Sequence, residues 1–175
     1  CSSRRPLGLC RRRHLVSPVR PRTSAGLLPV RLGANGAIEV LIAHMGGPLW
    51  ARKDDRAWSI VKGDFDPVTE EPRAAAEREW REETGTAVPE GQVFELGTVK
   101  QSGGKTVHAF AVLVVGDIDV DVAAGDQVTM EWPPRSGRRI TFPEIDRVEW
   151  CVAEVAARRL VAAQAGFLDR LDLSS

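Results

Sequence analysis

The stretch GDFDPVTEEPRAAAEREWREETG, residues 63–85, decides the fold of this chain. Pro72 suits the first position of a helix, where its missing N–H is not needed, and the three alanines that follow favour a helix strongly. Gly85 fits the left-handed conformation that ends many helices. The pattern therefore predicts a helix from about Pro72 to Thr84, and the glycine in residues 62–64 lets the backbone ahead of it approach a ligand.

Three glutamates lie on one face of this predicted helix. Glu79, Glu82 and Glu83 are spaced at i, i+3 and i+4, where like charges repel and destabilise a helix. Arg78 and Arg81 are expected to point elsewhere and to leave this acidic stripe without neutralisation. Such carboxylates suit a hard divalent cation, which takes oxygen ligands from carboxylates and substrate phosphates. A solvated, charged helix face is the plainer interpretation of the same run.

The same residues resemble the signature of the Nudix hydrolases. That signature consists of a glycine, five residues, a glutamate, seven residues and then Arg-Glu-aliphatic-x-Glu-Glu-x-Gly-aliphatic. Here Glu70 is followed by seven residues and then by REWREETG, residues 78–85. One extra residue separates Gly63 from Glu70, and Trp80 and Thr86 replace aliphatic residues of the pattern. The resemblance implies an α/β (α+β) fold, an αβα sandwich around a mixed central sheet.

For function, the resemblance implies a pyrophosphohydrolase that depends on Mg²⁺ or Mn²⁺ and cleaves a nucleoside diphosphate derivative, NDP-X, into NMP and P-X. Gly63, Glu79, Glu82 and Glu83 are the residues expected to hold the metal. The metal would neutralise the phosphates and lower the pKa of a bound water, whose proton a carboxylate must accept.

Several residues around the metal are assigned roles by the same resemblance. The candidates for the base are Glu83 and Glu82, with Glu131 as the acid from a distant loop. Arg78 is expected to orient the glutamates through hydrogen bonds, and a surface ion pair with Glu82 is the alternative. Lys62 either contacts a phosphate or is an exposed lysine at the end of a strand.

Substrate selection is predicted to depend on two other loops. Trp50, Arg52 and Lys53 follow the second predicted strand, and Trp132 and Arg135 lie in a proline-rich hairpin. A nucleobase could stack on a tryptophan, and the cations could bind phosphates. Core packing is an equal alternative for both tryptophans.

The remainder of the chain alternates between strand and turn patterns, and Asn35-Gly36 predicts a tight hairpin turn. The predicted strands are residues 24–31, 37–44, 58–62, 94–101, 106–115, 128–132, 139–142 and 147–151. The predicted helical segments near the end are residues 152–163 and 167–171. His44, His108 and Cys151 lie on these patterns as structural rather than catalytic residues.

Charge is distributed unevenly although the whole chain is neutral. Residues 1–22 hold seven arginines and no acid, so residues 23–175 carry seven more acidic than basic residues. The first segment is predicted to be a disordered tail and the second a Nudix hydrolase domain. A transit peptide and an arm that binds nucleic acid are alternatives for the tail.

Three cysteines without a disulfide framework favour a reducing compartment, so a cytoplasmic protein is expected. No apolar run is long enough to span a membrane. The expected partner is a small nucleotide rather than a membrane or a nucleic acid, and the expected assembly is a monomer or a homodimer. Two other functions remain open. One is a non-catalytic nucleotide sensor of the same fold, and the other is an isomerase of prenyl diphosphates, which would require an additional cysteine at its site.

Overall fold

A mixed sheet of seven strands forms the centre of the molecule in the computed structural model, which describes residues 22–172. The strands are β1 (Thr23–Leu32), β2 (Ile38–Met45), β3 (Trp58–Ser59), β4 (Val61–Phe65), β5 (Gln92–Lys100), β6 (Thr106–Leu113), β7 (Gln127–Glu131), β8 (Arg139–Pro143) and β9 (Ile145–Val152). The helices are α1 (Pro72–Thr84), α2 (Ala153–Arg159) and two 3-10 helices, Val122–Ala124 and Ala162–Arg170. The predicted tail lies outside the described residues except for Arg22.

Strand β1 organises the central sheet because it has partners on both sides. It runs parallel to β6, and it pairs antiparallel with β4 near its start and with β2 near its end. The sheet order is β3-β2-β1-β6-β5, with β4 paired to β1 and β9 paired to β2. Strands β7 and β8 form a separate hairpin. The predicted mixed sheet is confirmed.

Each face of the sheet packs against helices, as alternation along the strands requires. On one face, Ala25 and Leu27 of β1 pack in a cluster with Ala75, Ala76 and Trp80 of α1. The other face carries a second cluster that includes Leu28, Val30, Trp58, Leu160 and Phe167. Trp80 is fully buried, and the alanines let α1 approach the strands closely. Helix α1 is therefore fastened by its apolar face, and its acidic face is turned towards β4.

The helix predicted over residues 152–163 is interrupted at Leu160 and Val161, and a 3-10 helix follows from Ala162. Helix α2 ends at Arg159, and Leu160 has an extended backbone with a ψ of 148°. Leu160 forms a parallel bridge with Trp58, and Val161 N–H donates to the Trp58 carbonyl at 2.8 Å. The buried Leu160 is thus drawn onto the edge of the sheet at β3, which stops the helix. The predicted strand 58–62 is likewise divided into β3 and β4, because these two pair with different strands.

Candidate active site

Gly63 and Glu79 are the closest point between β4 and α1. A side chain at residue 63 would overlap the carboxylate of Glu79, so only glycine permits this approach. The loop that carries the extra residue closes on Asp66, whose carbonyl accepts from the N–H groups of Thr69 and Glu70, each at 3.0 Å. With this loop in place, Gly63 lies against Glu79.

Glu79 and Glu83 are the two buried carboxylates of α1, only 8% and 5% exposed. Glu83 Oε2 accepts the backbone N–H of Lys62 at 3.1 Å. Burial raises the pKa of Glu83 to about 8, against the attraction of Lys62 and with a contribution from Glu144. Burial also raises the pKa of Glu79, although Arg78 opposes the shift. Both groups are costly to ionise alone, so a cation beside them would be strongly favoured.

Arg78 does not point away from the acidic stripe, and that prediction is wrong. Its guanidinium forms two hydrogen bonds with Glu70, at 3.0 and 2.8 Å, and its Nη1 also donates to Glu79 at 2.6 Å and Glu82 at 2.7 Å. These carboxylates, Glu70 first, raise the pKa of Arg78 above its usual value. Both predicted roles are therefore present: Arg78 orients Glu79 and forms an ion pair with Glu82. Arg81 does turn away, towards Glu77.

One cavity of about 240 Å³ joins β4, α1 and the segment before β9, and its lining side chains are all charged. We call it the charged cavity. It is lined by Arg22, Lys62, Gly63, Asp64, Glu79, Glu83, Lys105 and Glu144. Glu82, predicted as a metal ligand and a base, is not among them; its side chain is 42% exposed and pairs with Arg78.

Glu144 is the acid of this cavity that sequence reasoning missed. Three backbone hydrogen bonds, each at 2.9 Å, connect its segment to α1 and to Gly46. Asp126 N–H donates to the Glu82 carbonyl, and Glu144 N–H donates to the Asp126 carbonyl. Gly46 N–H donates to the Glu144 carbonyl. Neither Gly46 nor Gly125 has room for a side chain at these contacts. The two glycines were the sequence signal for this close packing, but their partners are distant in the chain.

Glu131, predicted as the loop acid, lies elsewhere. It is exposed on β7, and its Oε1 accepts the Gly137 N–H at 2.7 Å within the β7–β8 hairpin. Glu131 does not line the charged cavity or the second cavity described below. The predicted substrate residues of this hairpin, Trp132 and Arg135, line neither cavity. Glu144, and not Glu131, is the acid from a distant segment that lines the charged cavity.

A second cavity, of about 200 Å³, adjoins the charged one, and most of the residues that line it alone are apolar. We call it the apolar cavity. It is lined by Met45, Gly46, Trp50, Ser59, Ile60, Lys62, Glu83, Val128, Phe142, Glu144 and Ile145. Lys62, Glu83 and Glu144 line both cavities and form their junction.

Among the residues predicted to select the substrate, Trp50 is the one that lines this apolar cavity. It is half-buried, and Lys53 Nζ lies 4.9 Å from the centre of its ring. Arg52 and Lys53 are exposed and line neither cavity. Lys53 acts through its backbone, because its carbonyl accepts a hydrogen bond from His44 Nε2 at 2.9 Å.

The predicted structural roles of His44 and Cys151 agree with their surroundings. His44 is fully buried, with Nδ1 2.8 Å from Asp146 Oδ1. Burial raises the pKa of the Cys151 thiol to about 11, so this thiol stays protonated at neutral pH. Neither residue lines the charged or the apolar cavity.

The donor set of the charged cavity fits a hard divalent cation. Glu79, Glu83 and Glu144 line this cavity and supply carboxylate oxygens, which such cations prefer as ligands. Within residues 22–172, no three His, Cys, Asp or Glu side chains already converge as closely as metal ligands do. Arg78 and the Lys62 N–H hold Glu79 and Glu83 instead. In the same part of the chain, no helix is long and apolar enough to cross a membrane.

Comparisons with known proteins agree with this architecture. A family model described as NUDIX domain matches residues 20–171. Among solved structures, a C. elegans Ap4A hydrolase in a binary complex superposes with a TM-score of 0.57 and 22% identity over 84% of this chain and 93% of that one. A Nudix hydrolase from M. smegmatis, RenU, gives a TM-score of 0.54 and 19% identity over 86% and 83%.

A third structure was solved with a nucleotide. The NUDIX domain of Shewanella oneidensis NrtR, complexed with ADP ribose, gives a TM-score of 0.54 and 13% identity over 85% of this chain and 84% of that one. At these identities the likenesses concern the fold. A search of curated proteins finds no match.

Proposed function

The chain belongs to the Nudix family of pyrophosphohydrolases, and we propose that it hydrolyses a pyrophosphate linkage of a nucleoside diphosphate derivative with Mg²⁺ or Mn²⁺. The observation that carries this proposal is the charged cavity, where buried carboxylates and lysines lie side by side. Carboxylates alone would repel a pyrophosphate, and lysines alone would bind it without activating water. Together they suit a phosphate chain bridged to the protein by a cation.

Three carboxylates have distinct positions around the proposed cation. Glu79 is oriented by Arg78, Glu83 by the Lys62 N–H, and Glu144 by the backbone contacts that join its segment to α1. When bound, the cation would neutralise phosphate charge and lower the pKa of water. Arg78 keeps Glu79 in one orientation before the cation arrives, as groups behind metal ligands commonly do.

The proposed reaction is the hydrolysis of a pyrophosphate linkage by water. A water oxygen forms a bond to one phosphorus, the bridging P–O bond breaks, and the products are NMP and P-X. Glu83 and Glu144 lie at the junction of the two cavities, so these carboxylates are placed to accept the water's proton. Lys62 lines the same junction and would donate to a phosphate oxygen on the scissile linkage.

The apolar cavity is the proposed site of the nucleoside. Trp50, Phe142 and Met45 supply apolar surface beside the junction, and base stacking on an aromatic ring contributes about 1–3 kcal/mol. One similar structure is an Ap4A hydrolase, and another is a NUDIX domain complexed with ADP ribose. Adenine nucleotides are therefore the first substrates to test.

The test is a panel of diphosphate compounds incubated with the protein and Mg²⁺, with release of NMP followed by chromatography. The panel contains ADP-ribose, a nucleotide sugar, diadenosine tetraphosphate and a nucleoside triphosphate. We expect turnover of at least one compound, and its loss when EDTA removes the metal. Binding of these nucleotides without any turnover would contradict the proposal and favour a sensor.

A further inference from the structure

The charged cavity has a cationic end that the catalytic carboxylates do not explain. Arg22, Asp64 and Lys105 line this cavity but not the apolar one. The junction residues, which line both, lie between this end and the proposed nucleoside site. A phosphate chain that starts at the nucleoside and passes the junction would therefore continue towards Arg22 and Lys105.

The register of the central sheet brings these residues together. Strand β1 pairs with β4 so that Ser24 lies opposite Asp64, and it pairs with β6 so that Thr23 lies opposite Thr106. Lys105 directly precedes β6, and Thr106 N–H donates to the Arg22 carbonyl at 3.0 Å. Three separate segments thus deliver their charged side chains to the same end of the sheet.

Asp64 holds both cations. Lys105 Nζ lies 2.7 Å from Asp64 Oδ1, and Arg22 donates to Oδ2 through Nη2 at 2.6 Å and Nε at 3.1 Å. Ser24 Oγ also donates to Oδ1. Burial opposes ionisation of Asp64, but the bonds from Lys105, Ser24 and Arg22 outweigh it and lower its pKa. Asp64 therefore stays ionised and keeps the cations ordered.

This arrangement leaves a surplus of positive charge for a ligand. Two cations share a single carboxylate, so one positive charge at this end is not offset within the trio. Lys105 is only 20% exposed, and its ordering has been achieved before a ligand binds. Lysine and arginine both donate strong charge-assisted hydrogen bonds to phosphate oxygens.

We propose that Lys105, assisted by Arg22 and ordered by Asp64, binds the phosphates beyond the scissile linkage. The substrate class is then a dinucleoside polyphosphate with a chain longer than a diphosphate, in preference to ADP-ribose or a nucleotide sugar. This inference rests on the proposed function for the position of the scissile linkage. Lys105 acts as a residue that determines substrate specificity through phosphate-chain length.

The test compares kcat/KM for diadenosine tetraphosphate and for ADP-ribose, with Mg²⁺, in the wild type and in Lys105→Gln. We expect the wild type to prefer the tetraphosphate. The variant should lose about tenfold or more on the tetraphosphate, since a hydrogen bond between charged groups is worth more than one factor of ten. It should lose little on ADP-ribose. Equal losses on both compounds, no loss on either, or a wild-type preference for ADP-ribose would overturn the inference.

The matched control is Lys100→Gln, which removes the same charge from an exposed residue at the end of β5 that lines neither cavity. It should leave both kcat/KM values unchanged. Calorimetric titration of diadenosine tetraphosphate into the Glu83→Gln protein, with and without Lys105→Gln, measures the same contact without turnover. The two failures are therefore distinguishable. If the proposed function fails, no compound is turned over. If this inference fails, diadenosine tetraphosphate binds Glu83→Gln with the same affinity with and without Lys105→Gln.

Asp64→Asn separates a phosphate site from a purely structural cluster. Because Asp64 orders Lys105 and Arg22, Asp64→Asn should raise KM for the tetraphosphate and leave KM for ADP-ribose little changed. If the trio only fastens β4 to β1 and β6, Asp64→Asn and Lys105→Gln should both lower the melting temperature and raise KM for both substrates alike. The second result would contradict the inference.

Discussion

The charged and apolar cavities share Lys62, Glu83 and Glu144, yet their remaining walls have opposite character. The charged cavity is lined mainly by β4 and α1, together with Arg22 before β1, Lys105 before β6 and Glu144 before β9. The apolar cavity takes much of its wall from the β2–β3 loop and the β7–β8 hairpin. Under the proposed function, the charged cavity holds the cation and the phosphate chain, and the apolar cavity holds the nucleoside.

The strongest way to break this comparison is to remove the charge of Glu83 at the junction. Glu83→Gln should lower kcat by about 10²- to 10⁴-fold, because the variant loses both a cation ligand and a placed proton acceptor. Glu77→Gln is the control, since Glu77 is on the same helix but outside both cavities and pairs with Arg73. Steady-state kinetics on the best substrate of the panel measures both. An unchanged rate in Glu83→Gln would mean that the site is misassigned.

A second variant attacks the charged cavity through its backbone. Gly63→Ala places a methyl group against the Glu79 carboxylate, which must then move. Displacement of a catalytic group by about 1 Å can cost about 10²-fold, so kcat should fall by that order. Gly166→Ala adds the same methyl group where the nearest heavy atom would be 3.9 Å away. Equal activity of the two variants would show that the Gly63 contact does not matter.

The apolar cavity should respond differently, in KM rather than kcat. Trp50→Ala removes an aromatic wall and should raise KM by about tenfold, from the usual stacking energy. Trp132→Ala, in the exposed part of the hairpin, should change KM much less. Kinetics of the two variants on the same nucleotide makes the comparison. A larger effect at Trp132 would place the nucleoside in the hairpin and not in the apolar cavity.

The smallest expected effect is a pH dependence of stability in the metal-free protein. The pKa of Glu83 is about 8 in the folded state and near 4.5 when unfolded, so folding favours its protonated form. Between these values unfolding releases a proton, and the contribution of Glu83 to stability is lost as pH rises. The melting temperature of the wild type should therefore fall between pH 5 and pH 8 more than that of Glu83→Gln. Parallel profiles would contradict the burial of this carboxylate.

Much of the fold follows from local patterns. The bounds of α1, Pro72–Thr84, agree with the prediction, as does the turn at Asn35-Gly36. These features depend on residues within a few positions of one another, through helix period, glycine conformation and side-chain spacing. The end of α2 does not, because Leu160 is taken out of the helix by its bridge to Trp58.

At the site, too, some features follow from local sequence and others depend on long-range contacts. The spacing of Glu79, Glu82 and Glu83 indicated a cation site, but it contained no information on which acids face a cavity. Glu79 and Glu83 line the charged cavity, whereas Glu82 is exposed. Arg78 contacts Glu79 and Glu82 and reaches back to Glu70. The order of charges along the helix could not show this, because the position of the Glu70 loop is set by the turn at Asp66.

By itself, the sequence determined α1, its acidic face and the family resemblance, because all three are written in consecutive residues of one helix and the loop before it. Only the tertiary structure shows that Glu144 lines the charged cavity with Glu79 and Glu83, while Glu131 and Glu82 do not line it. The physical reason is that Glu144 reaches the site through backbone hydrogen bonds between α1, the Asp126 segment and Gly46, which are distant in the chain and meet only when the sheet has formed.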